Sequence, residues 1–159
     1  MFASLKKLIA EFGTGGKHPA RFDDDDYRLA AAALLVHAAE VDGDGSPAVR
    51  DRVRAVLQRR FELDDEDITQ LVAEATAAEH AAIDLYHFTS RLNRALDDAG
   101  RRRVVQMMWE IVCADSRVTE IEDNLIWRAA DLLGVSSRER IVLRRQVEAA
   151  RPNPDGENK

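Results

Sequence analysis

The chain has one cysteine, Cys113, among 159 residues. No intrachain disulfide can form, and nothing in the cysteine usage points to an oxidising compartment. Aromatic residues make up only 6% and there are eight glycines, a composition poor for a turn-rich sandwich, while 45% hydrophobic residues are too many for a disordered chain. The longest apolar run, Leu29 to Ala39, is broken by His37 and falls far short of the roughly 20 residues a spanning helix needs. The N-terminus carries Lys6 and Lys7 but no uninterrupted apolar stretch followed by a small-residue cleavage site, so it does not read as a signal peptide. Basic charge is also in deficit. A formal charge of −6 disfavours a nucleic-acid binder, which needs a clustered basic surface. Arg101, Arg102 and Arg103, and Arg138, Arg140, Arg144 and Arg145, are mixed with acids and read as solvated helix faces. These exclusions leave one globular domain of cytoplasmic character.

What is present is helical periodicity from end to end. Phe2, Leu5, Leu8, Ile9 and Phe12 recur at helical spacing and stop at Gly13-Thr14-Gly15-Gly16, giving an amphipathic arm with a Gly-rich joint over residues 1–16. The acidic run Asp23 to Asp26 suits the positive end of a helix beginning near Asp24. That helix, through Leu29, Ala33, Leu34 and Val36 to about Val41, is rich enough in Ala to sit centrally. Ser46-Pro47 is an N-cap with proline at the first helical position, Asp64 caps a third helix, and Ile83, Leu85, Phe88, Leu92 and Leu96 mark another. After Arg101 the pattern restarts: Val104, Val105, Met108, Ile111 and Val112, then Thr119 and Glu122 at capping-box spacing, Gly134 as a stop, and Ser136 with Glu139 repeating the box. Residues 151–159, with Pro152, Pro154 and Gly156, have the composition of a frayed tail. The expectation is about eight helices, the arm over 1–16 counted among them, with a single all-α domain over 24–150 built from two related helix-turn-helix halves.

The duplication is clearest at two polar turns. Val36 to Ser46 contains Glu40-Val41-Asp42-Gly43-Asp44-Gly45, and Glu110 to Thr119 contains Cys113-Ala114-Asp115-Ser116. Each ends an apolar helix at an Asp and restarts at a hydroxyl residue able to cap the next. Neither turn is an EF-hand. With Asp42 as the first loop residue, Pro47 stands where the sharp-turn Gly belongs and Val53 where the bidentate Glu belongs, and the second copy has Ile126 there.

Three segments, Asp84-Leu85-Tyr86-His87-Phe88-Thr89, Trp109-Glu110-Ile111-Val112-Cys113-Ala114-Asp115 and Ala130-Asp131-Leu132-Leu133-Gly134-Val135, in this order, resemble the TerB-like tellurite-resistance family over about residues 29–145. The resemblance implies a single helical bundle of two related halves. It also implies an acidic surface around the paired turns, suspected metal binding, and a role in stress-response complexes near the membrane. The sequence departs from the family pattern where His37 replaces a Glu whose counterpart, Glu110, is kept, where Ala48 and Val49 replace an acid after the first turn, and where Ser116 replaces a Gly.

The candidate cation ligands are Asp42, Asp44, Glu110, Asp115 and Glu122, five carboxylates suited to calcium, magnesium or manganese, with zinc as a further divalent candidate. Their competing role is structural: Asx turns for Asp42 and Asp115, and a capping box for Glu122. His37 becomes a ligand or a base if an acid opposes it, and His80 with His87 is a weaker pairing across an expected break at Ala81-Ala82-Ile83. Cys113 has no CxxC partner and reads as a small packed thiol. Trp127 falls off its helix's apolar stripe and suits a partner surface. The reading is a non-enzymatic binding or scaffold module with a protein partner and no nucleic acid, in the cytoplasm, with peripheral contact to the inner membrane through the arm as a second option. A metal-dependent hydrolase using the acidic turns with His37, and an oligomerisation module built on the arm and Trp127, are the alternatives; oligomeric state, ion and tellurite involvement stay open.

Overall fold

The computed structural model describes residues 22, 26–41, 46–82, 84–114 and 117–150. Among these, seven helices and no strand are found: α1 Tyr27–Glu40, α2 Pro47–Phe61, α3 Asp65–Ala81, α4 Tyr86–Ala95, α5 Asp98–Val112, α6 Glu120–Leu132 and α7 Ser137–Ala150. The eighth expected helix was the arm over residues 1–16, which lies outside the described residues, as do the tail 151–159, Asp23 to Asp25 and Ile83.

Helix α1 organises the bundle. Ten of its 14 residues are buried, Leu29 to Val36 without a break and then Ala38 and Ala39. A helix apolar on every side must be covered on every side, and α1 packs against α2, α3, α4, α5 and α6. Ala30 to Ala33 are 0–1% exposed; their short side chains let neighbouring backbones approach closely, because interaxial distance is set by the side chains at the contact. The matching helix α5 is similarly enclosed, burying Val104, Val105, Met107, Met108, Trp109, Ile111 and Val112.

Helix starts follow the residues that can cap them. Asp26 accepts from the Arg28 amide, so α1 begins at Tyr27 rather than near Asp24. The Asp26 hydrogen bond also holds the Arg28 guanidinium above its ordinary pKa. Ser46, Asp64, Asp97 and Thr119 cap α2, α3, α5 and α6 with side-chain acceptors. Ser136 and Glu139 exchange side-chain and backbone bonds at 3.1 Å each at the start of α7. Helix ends are more revealing. At the end of α6, Gly134 has φ 75°, and the Val135 and Gly134 amides donate to Ala130 and Asp131, the Schellman arrangement. The end of α2 makes the corresponding Leu63 to Gln58 bond, yet the left-handed position is held by Glu62, φ 52°. One half thus closes this turn with glycine and the other with a strained glutamate.

Two stability outcomes follow. Glu62→Gly raises the urea-unfolding free energy by about 0.5–1 kcal/mol, since glycine removes the left-handed penalty; no gain would show that the turn is unstrained. Ala32→Leu lowers it by about 1–3 kcal/mol through overpacking, whereas Ala77→Leu, on the exposed side of α3, stays within about 0.5 kcal/mol.

Candidate functional site

The two related central helices, α1 and α5, run antiparallel. Tyr27, at the start of α1, meets the Phe61 ring edge-on at 5.9 Å, so the end of α2 lies beside the start of α1. From that same end of α2, Arg59 and Arg60 reach Glu110 in the last turn of α5. At the opposite end of α1, His37 shares a cleft with Phe88 of α4 and Arg128 of α6. Since a 14-residue helix is about 20 Å long, the helix ends that lead into the two acidic turns point to opposite ends of the central pair.

This geometry sorts the candidate ligands. Asp42, Asp44 and Asp115 lie outside the described residues. Glu110 is engaged by the two α2 arginines, which neutralise a carboxylate whose side chain is only 18% exposed. Glu122 is buried and completes the capping box of α6: its Oε1 accepts from the Thr119 amide at 3.0 Å, while its own amide donates to Thr119 Oγ1 at 3.1 Å. The structure therefore brings Glu110 to α2 and Glu122 to the head of α6, and it brings neither to the end of α1 that carries Glu40.

A different polar cluster occupies that end. His37 Nδ1 lies 2.8 Å from Glu79 Oε2, giving His37 the opposing acid that its position required, from α3 rather than from an acidic turn. His80, next in sequence, places Nε2 3.4 Å from Glu79 Oε1 and 3.7 Å from Glu40 Oε1. Glu40 is the last residue of α1, and Glu79 and His80 sit in the last turn of α3. Beside this corner is a cleft of about 190 Å³ whose walls include His37, Glu79, Asp84, Leu85, Phe88 and Arg128. His80 does not pair with His87: α3 stops at Ala81, and His87 faces Arg91 on α4. Sequence reasoning missed Glu40 and Glu79. The one available signal was that His37 and Glu40 share a helix face at i, i+3 spacing.

The outer face of α6 is the other feature of note. Ile121 is 54% and Trp127 46% exposed, and together with Glu120, Asp123 and Asn124 they line a shallow groove. Trp109, by contrast, is buried, donates Nε1–H to the Arg140 carbonyl at 3.1 Å and lies under the Arg144 guanidinium. Cys113 is buried at the end of α5, as its reading as a packed thiol required. No helix among the described residues is long and apolar enough to cross a membrane.

Compared with known proteins, residues 28–145 match the family model described as tellurite resistance protein TerB. No curated protein and no solved structure matches.

The capping role of Glu122 has a direct check. Glu122→Gln preserves the box, which accepts Gln as readily as Glu, and leaves the urea midpoint nearly unchanged, while Thr119→Ala costs about 1 kcal/mol. A large loss from Glu122→Gln alone would instead mean that its charge is what matters.

Proposed function

Because the chain belongs to the tellurite resistance protein TerB family, we propose that it is a non-enzymatic binding module that docks a protein partner through the outer face of α6, within a tellurite or general stress response. The observation that carries this reading is the pair Ile121 and Trp127, 54% and 46% exposed and lining one shallow groove. Helix α6 already buries Leu125, Ile126, Ala129 and Ala130 on its inner side, so these two side chains add nothing to the core. An exposed tryptophan beside a second large apolar residue is the composition of an interface anchor, where desolvation of a few aromatic side chains dominates affinity.

The rim defines the partner's chemistry. Glu120 and Asp123 flank the groove, and Asp131 is exposed further along the same helix. A complementary surface carries an apolar side chain for the groove and lysine or arginine for the rim, and opposite charge of this kind raises the association rate. The partner is therefore a protein segment that is basic and apolar together.

Selection of short displayed peptides against the full chain tests this. Peptides combining Lys or Arg with large apolar residues are expected, and Trp127→Ala should weaken them roughly 30-fold or more, as for an interface hot spot, with an unchanged thermal midpoint. The reading is overturned if Trp127→Ala combined with Ile121→Ser leaves binding intact. It is equally overturned if light scattering shows the unaltered chain already paired through this face, for then the occupant is a second copy.

A further inference from the structure

We propose that Glu40, Glu79 and His80 form a site for one divalent first-row transition ion, zinc foremost, with His37 as the residue that positions Glu79. The site lies where the C-terminal ends of α1 and α3 meet, and its ligand set includes none of Asp42, Asp44, Glu110, Asp115 and Glu122.

Four observations converge on this corner. The first is spacing: one donor atom from each of Glu40, Glu79 and His80 lies within 4.8 Å of the others. Two of the edges, 3.4 Å from His80 to Glu79 and 3.7 Å from His80 to Glu40, are close to the edge of about 3.4 Å that a tetrahedron with bonds of roughly 2.0–2.1 Å requires. An ion enters as the Glu40 and Glu79 oxygens, already within 4.8 Å of each other, close towards that edge.

The second is an unanswered acceptor. Glu79 Oε1 is sealed from solvent and accepts no hydrogen bond, although the other oxygen of the same carboxylate is held by His37 at 2.8 Å. A buried carboxylate oxygen needs a donor or a cation, and the His80 Nε2 that would share the ion lies 3.4 Å from it. The third is the field of the backbone. Glu40 closes α1, and Glu79 and His80 lie in the last turn of α3. Two helix C-termini therefore turn their negative ends towards one point, which favours a cation there.

The fourth is the donor chemistry. One imidazole nitrogen with two carboxylate oxygens selects zinc and its first-row neighbours over calcium or magnesium, which prefer oxygen alone. Two carboxylates balance the charge of the ion, and three protein ligands leave a fourth position open to water. His37 completes the arrangement from outside. An ionised carboxylate only accepts hydrogen bonds, so Nδ1 is the donor, and this bond turns Oε1 towards the corner, the usual support of a ligating carboxylate.

The test uses the full chain, freed of metal with chelator and titrated calorimetrically with zinc chloride. One ion per chain is expected. His80→Ala and Glu40→Gln each weaken binding at least tenfold, and Asp42→Asn combined with Asp115→Asn leaves it unchanged. His37→Ala weakens binding about tenfold, the effect typical of a lost supporting bond, and His37→Gln, which still donates to Glu79, recovers part of the loss. His80 is 64% exposed, so its replacement leaves the fold intact, and the metal-free melting temperature of each variant checks this. Cobalt(II) supplies a second readout on the unaltered chain, an intense d–d spectrum of tetrahedral type. The proposal is overturned if the unaltered chain binds no zinc, or if His80→Ala and Glu40→Gln do not weaken binding. Loss of binding in the acidic-turn double variant, or a weak octahedral cobalt spectrum, overturns it as well.

Discussion

The burial of α1 on all sides sets the terms for the rest of the molecule. A helix with an apolar stripe needs one neighbour, but a helix whose residues from Leu29 to Val36 are all inside needs a jacket. The alanines make the jacket tight, because their small side chains bring partner helices near enough for dispersion contacts around the whole circumference. The helices around it, α5 apart, can then be amphipathic in the ordinary way, with one face towards the centre and one towards water. Among the described residues the charged side chains lie on the outside of the bundle or, like the buried Asp67 and Glu122, in the first turn of a helix. Polar chemistry is concentrated at the ends because the flanks of the central helix are closed.

The duplication gives these ends their character. Two related halves with antiparallel central helices supply two corresponding corners, and the side chains at them diverge. At one corner Glu110 is quenched by Arg59 and Arg60. At the equivalent position on α1 the residue is His37, which is neutral or positive and takes Glu79 as its partner. The exchange of a glutamate for a histidine thus redirects the polar network from α2 in one half to α3 in the other. The same divergence appears in the helix ends, where Gly134 and Glu62 occupy matching left-handed positions.

Much of the fold was legible because its signals are local. Ser46 with Pro47, Asp64, Thr119 with Glu122, Ser136 with Glu139, and Gly134 each act within a few residues of themselves, and each sits in the structure where its spacing requires. The centrality of α1 was legible from its alanines, and the surface position of Trp127 from its place off the apolar stripe. The polar corner was not legible. It depends on the ends of α1 and α3 meeting, and no spacing within either segment encodes which turn of one helix faces which turn of another. Glu40 and Glu79 look like ordinary helix-terminal acids until packing sets them within reach of His80. The direction of the central pair was hidden for the same reason: a repeat in sequence does not state whether its copies are stacked or opposed, so carboxylates that match in register need not meet in space.

The two tryptophans have a consequence of another kind. Trp109 lies in the core beneath Arg144, and Trp127 stands in solvent on α6, so the chain has two indoles in opposite environments and only two in all. Their emission is separable: a dissolved quencher reaches the outer indole first, while the inner one reports blue-shifted light only as long as the bundle keeps water out. The protein therefore carries its own pair of optical gauges, one reading what touches its surface and the other the integrity of its interior, with no label attached.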